Sequence, residues 1–327
     1  MRLNRSKVLL SILFCLLLYL SPIETSAQSE IIDQILNQAL ETLGPEQQGS
    51  FYAALANFSV HPEISTATYN IGVEGNDDPT LSVYRIPLQY VFTLEDQNWQ
   101  PLVQASFAYQ TLETHINPIS DESVNLEWKT YGGSLSAGVK VPLSNNLTLV
   151  PVINGGVLRI ENNADYSGFI SETLLRPTFD GIVFNWDADA WLLGATLGID
   201  YQREFQHFNL SVHGSLTHNY VETFDSSSGL IDFNSQITTL DIILESVIPT
   251  YMKISVFPIA LVVNVGNTTF FGSDSDALGF NHFFEGGIAF EADVSPKNWI
   301  LRKLRLGAKA IYGEDVTGWS VIFGYRF

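Results

Sequence analysis

From about residue 65 to the C-terminus, apolar residues recur at every second position, in stretches too long for an ordinary sheet. Between residues 100 and 112, Val103, Ala105, Phe107 and Tyr109 share one face, and Gln104, Ser106, Ala108 and Gln110 share the other. After Phe208, Leu210, Val212, Gly214 and Leu216 oppose Asn209, Ser211, His213, Ser215, Thr217 and Asn219. A period of two sends successive side chains to opposite faces of a strand. The pattern predicts twelve strands, at about 65–75, 80–94, 100–114, 124–142, 147–162, 184–203, 207–224, 236–248, 253–269, 279–294, 302–313 and 317–327. An ordinary strand has about 5–6 residues, and a tilted membrane crossing takes about 9–11. The polar faces carry Ser, Thr, Asn, Gln and Gly in place of the charges expected on a solvated sandwich.

The connectors alternate as well. Even-numbered strands are followed by short turns, at 95–99, 144–146, 204–206, 249–252 and 295–301. Odd-numbered strands are mostly followed by longer polar loops, at 115–123, 163–183, 225–235 and 270–278; residues 75–79 and 314–316 are short exceptions. Short turns on one rim, long loops on the other and an even strand count describe an outer-membrane barrel. In lipid every backbone N–H and C=O must be paired, so the sheet has to close on itself. Trp99 and Trp299 at short turns, with Trp128, Trp186 and Trp319 near the loop-side strand starts, are expected to form interfacial girdles. Trp191, in mid-strand, is the exception.

Composition excludes other classes. The 327 residues are 46% hydrophobic and 16% charged, too apolar for a disordered chain, and the net charge of −19 has the wrong sign for nucleic-acid binding. Residues 1–27 read as a secretory signal peptide: Arg2, Arg5 and Lys7 precede an apolar run from residue 8 to 20, and Thr25, Ser26 and Ala27 suit cleavage. Cleavage removes those three bases and Glu24, deepens the net charge to −21, and takes away Cys15, the sole cysteine. Residues 28–59 are expected to be helical. Ser29 can cap the first helix, and Ile31, Ile32, Ile35, Leu36, Ala39, Leu40 and Leu43 form one apolar stripe, ended by Gly44 and Pro45. This helix either plugs the lumen or docks in the periplasm. The resulting expectation is a closed antiparallel transmembrane β-barrel, residues 60–327, behind a short α-helical segment.

The last strand, from Gly318 to Phe327, resembles the terminal strand of bacterial outer-membrane proteins, whose alternating aromatics and final Phe are read by the barrel-assembly machinery. The resemblance assigns that signal to Trp319, Phe323, Tyr325 and Phe327. Twelve strands behind a helix, with the glycine-rich stretch from Tyr131 to Asn162, resemble the translocator barrel of autotransporters. Only the signal peptide precedes the helix, so the nearest analogue is the solitary autotransporter-like barrel, which implies no established activity.

Function is therefore sought in the lumen. By parity the inward charges are Arg85, Lys140, Asp241, Glu245, Glu285, Glu291, Asp293, Arg305, Lys309 and Arg326. They can form a salt-bridge network or a charge-selective constriction, inside a lumen expected to be polar. His213 and Ser215 share a face at i, i+2, as an outer-membrane phospholipase or esterase would need, but no acid partner is visible in the sequence. The six His show no metal spacing. A non-enzymatic structural barrel or narrow pore in the outer membrane is expected, with lipid and the assembly machinery as partners and no cofactor, metal or nucleic acid. A small-solute channel is the alternative, and a hydrolase the weaker one.

Overall fold

A computed structural model describes residues 65–71, 79–95, 97–119, 122–169, 171–181, 184–227, 231–272, 280–295 and 302–326. The expected signal peptide, the helical segment carrying Ile31 to Leu43, Trp299 and Phe327 lie outside the described residues. The described chain forms twelve strands: β1 (Ser65–Ile71), β2 (Thr80–Val91), β3 (Gln100–Ile119), β4 (Glu122–Pro142), β5 (Leu147–Ser167), β6 (Trp186–Glu204), β7 (Asn209–Ser226), β8 (Asn234–Ile254), β9 (Phe257–Phe271), β10 (His282–Asp293), β11 (Lys303–Tyr312) and β12 (Val316–Arg326). Each strand pairs antiparallel with its sequence neighbours, and β1 pairs with β12 to close the barrel. Closure removes the edges that lipid would leave unsatisfied.

The outer face is defined by exposed apolar side chains. Leu135, Ile153, Leu193, Leu197, Ile242, Val265, Ile288 and Leu306 all point outward. On the loop side this band ends in an aromatic row: Tyr84, Tyr109 and Tyr131 are register neighbours across β2, β3 and β4, and Trp191 packs on Phe224 at 4.6 Å. Beyond that row the outer surface turns charged. Arg159 there meets Asp187 at 2.8 Å and Asp189 at 3.2 Å, and Lys129 meets Glu127 at 2.7 Å. On the turn side Tyr90 packs edge-on to Phe92, and Phe205 stacks on Phe208 within the 205–208 turn. Aromatic rows bounding an apolar band mark the two membrane interfaces.

Several sequence expectations are corrected. The expected loop at 115–123 is mostly strand: β3 runs to Ile119 and β4 starts at Glu122, with a register shift between Ile116 and Ile119. Polar composition alone hid this extension, because strands that rise beyond the membrane no longer need an apolar face. The expected turn at 249–252 lies inside β8, which bulges between Pro249 and Lys253. The chain reverses instead at 255–256, where Ser255 has φ 60, the left-handed conformation that tight hairpin turns require. β1 is described as Ser65–Ile71, and its expected extension to residue 75 lies outside the described residues.

The girdle assignment is corrected for two tryptophans. Trp186 is 3% exposed and belongs to an interior apolar cluster, and Trp128 packs against the same cluster. Both sit on the inward parity of their strands, so proximity to a strand end misled the assignment. Trp191 and Trp319 face outward, 50% and 54% exposed. Single-Trp variants in vesicles of brominated lipid check this arrangement. Trp191 and Trp319 should be strongly quenched and Trp186 spared; strong quenching of Trp186 would contradict the inward placement.

Candidate functional site: the lumen

The inward faces divide the lumen into two zones. The loop-side zone is apolar, contrary to the polar lumen expected from the sequence. Every strand except β4 contributes buried residues to it, including Leu81, Leu112, Ile160, Leu192, Val221, Ile237, Phe283 and Ile311, joined by Ile231, Phe233 and Phe280 from the connecting segments. Phe270, Phe280 and Phe283 meet with ring centroids 6.2–6.3 Å apart. The segment after β5 folds over the same side. It forms a π-helical turn (Ser171–Leu175) and α1 (Arg176–Phe179), and it brings Phe179 and Phe184 onto Val124, Leu126 and Ala164. The sequence reading counted the apolar residues of inward parity too lightly, because Ser, Asn and Gly dominate the same faces nearer the turns.

Below the apolar zone lies a polar layer. Asn154 Nδ2 donates to Asn219 Oδ1 at 3.2 Å, and both residues are buried. Gly194, between them on β6, leaves the space this bond needs: a Cβ there would collide with Asn219 Oδ1.

The charged belt follows. Arg305 on β11 grips Glu245 on β8 through two bonds, of 2.6 and 2.9 Å, and holds Glu291 on β10 at 2.7 Å. Lys303 also meets Glu291, at 2.6 Å. Lys309 pairs with Glu285 at 2.7 Å, and Thr268 donates to Asp241 at 2.7 Å. Arg85 is buried at mid-wall, where β1 begins opposite it at Ser65. Asp293 accepts from Ser295 at the turn-side rim. Arg326 lies in β12, but its side chain is outside the described residues, as is that of Tyr325. Trp319 and Phe323 of the expected assembly signal face outward.

A second cluster occupies the adjoining wall of β4, β6 and β7. His213 Nδ1 is 2.8 Å from Asp200 Oδ1, and Lys140 Nζ is 3.9 Å from Asp200 Oδ2. The sequence reading missed Asp200 and found no acid partner for His213. The signal was available: counting outward from the 205–208 turn places Asp200 directly opposite His213, as the register confirms. Lys303, of the same parity as Arg305, was also missed; it reaches Glu291 diagonally from its register partner Asp293.

These pairings decide what the belt can do electrostatically. A charge-selective constriction needs a ring of like charges. Here carboxylates and cations alternate within bonding distance, and the Arg305–Glu245 pair is 7% exposed on both sides. Buried charges survive only when paired with good geometry, so the belt is a brace between β8, β10 and β11. Among the described residues no group of three or more His, Cys, Asp or Glu could hold a metal ion.

Comparison with known proteins places this barrel. The family model described as the solitary outer membrane autotransporter beta-barrel domain matches residues 70–327. No curated protein matches the chain. Among solved structures, the translocator domain of autotransporter NalP from Neisseria meningitidis is similar at TM-score 0.52 and 13% identity, covering 86% of this chain and 94% of that one. The transport unit of the autotransporter AIDA-I from Escherichia coli is similar at TM-score 0.52 and 11% identity, covering 86% and 99%. At such identities the likeness is one of fold.

Proposed function

Because the chain belongs to the family of solitary outer membrane autotransporter β-barrel domains, we propose that it serves as an exported barrel whose lumen is closed by its own N-terminal segment. The observation that carries this reading is the burial of the loop-side ring. Leu81, Ile160 and Val221 are 0% exposed although they line the interior wall. A wall of twelve strands encloses more space than its own side chains fill, lying between a packed eight-stranded barrel and an open sixteen-stranded one. Residues 28–64 immediately precede β1, which starts at mid-wall, and their apolar stripe from Ile31 to Leu43 has the chemistry of the ring. An apolar helix face set against an apolar ring removes both from water. The role is structural and calls for no catalysis. Export through the cleaved signal and assembly through the outward aromatics of β12 complete the reading.

Disulfide trapping tests it. The chain without residues 1–27 has no cysteine, so introduced pairs give no background. Leu36→Cys should cross-link with a ring position, Leu81→Cys, Ile160→Cys or Val221→Cys. It should not cross-link with Val152→Cys in the turn-side half. Cross-linking only to Val152, or to none of these positions, would overturn the plug.

A further inference from the structure

The cluster on β6 and β7 has chemistry that the closed-barrel role leaves unused. We propose that the turn-side half of the lumen holds a serine-type acyl-hydrolysis site, with Ser215 as nucleophile, His213 as general base and Asp200 as the positioning carboxylate. The proposal stands whether or not the N-terminal segment fills the ring above, since these residues lie on the other side of the polar layer.

The geometry comes from three inward positions. Asp200 and His213 are direct register partners, and their 2.8 Å contact fixes the imidazole through Nδ1. A base held at Nδ1 by a carboxylate presents Nε2 to a nucleophile. Lys140 reaches across β5 to within 3.9 Å of the other oxygen of Asp200. Ser215 stands one inward step from His213 on the same face of β7. Its register partners are Gly198 on β6, which adds no side chain, and Asp241 on β8, whose carboxylate accepts from Thr268. His213 and Asp200 are 38% and 24% exposed in their side chains, open to a substrate entering from the turn-side rim. In the resting structure no hydrogen bond joins Ser215 to His213 among the described residues. Such bonds are often long or misaligned until a substrate is bound.

The chemistry balances with water as the only co-reactant. His213 Nε2 takes the Ser215 proton as Oγ attacks the ester carbonyl. Collapse breaks the ester C–O bond, leaves an acyl-serine, and the alcohol departs with the proton returned by His213. Water then attacks the acyl-serine by the same relay, releasing the carboxylic acid and restoring Ser215. The surrounding wall, with Ser211, Gln202 and the hydrogen-bonded Thr196–Thr217 pair, is polar. It fits a small, water-soluble carboxylic ester rather than a membrane lipid.

The test uses the refolded mature chain, a fluorophosphonate probe and p-nitrophenyl acetate. The probe should label Ser215, located by mass spectrometry, and the ester should be hydrolysed. Ser215→Ala and His213→Ala should each lower kcat/KM by about 10³-fold or more. Asp200→Asn should lower kcat while leaving KM unchanged, because it disturbs the orientation of the base and not substrate binding; a merely structural role would move both together. Every variant should keep the heat-dependent gel shift of the folded barrel. An unreactive wild type, labelling at Ser211 or elsewhere, or a rate unchanged in Ser215→Ala would overturn the proposal.

Discussion

Replacing Arg305 by Met should cost the barrel about 3–5 kcal/mol of stability. Arg305 is 7% exposed, and it is the shared partner of Glu245 and Glu291, themselves 5% and 4% exposed. Methionine fills much of the same volume and removes the positive charge. Two carboxylates then remain in a poorly solvated lumen, with Glu291 keeping only Lys303. Most of the loss reflects these stranded charges and not the worth of the pair itself. The triple variant Arg305→Met, Glu245→Gln, Glu291→Gln should therefore recover most of it. Arg159→Ala provides the contrast. That arginine bridges three acids, Glu161, Asp187 and Asp189, but on the water-facing outer surface with its side chain 40% exposed, so the change should be far smaller. Reversible urea unfolding in phospholipid vesicles measures all three. Equal effects for Arg305 and Arg159 would show that the belt is not a brace.

The fold was legible because the membrane imposes it. A period of two, long strands and asymmetric connectors are consequences of lipid on one side and closure on all sides, and they fixed the twelve strands and their order without any tertiary information. Parity also placed Glu245, Glu291, Arg305 and Lys309 on the inner wall. What parity does not encode is depth and register. Asp200 was invisible as the partner of His213 until the 205–208 turn was counted through. Trp128 and Trp186 were assigned to lipid because their distance from the strand ends was weighed and their parity was not. The apolar ring was missed for a related reason. Outside the membrane core, an inward Leu or Ile and an outward one look the same in sequence, and only closure brings Leu81, Ile160, Val221 and Phe283 into one layer. The strand between 115 and 119 escaped because its outer face lies above the lipid and has lost the alternation that betrays the rest.

The largest functional effect expected is the opening of the lumen when its occupant is removed. The paired belt offers no ring of like charge to repel ions, so with residues 28–64 absent little would stand between the two rims except the loop-side apolar ring. On the proposed plug, the stripe from Ile31 to Leu43 fills this ring in the intact chain, and its removal is expected to leave a bore wide enough for water to pass. Two proteins refolded side by side, residues 28–327 and residues 65–327, each checked for the heat-dependent gel shift, can be compared in planar lipid bilayers. The longer chain should stay at the closed baseline and the shorter one should give stepwise currents; equal conductance from both, open or closed, would contradict the plug.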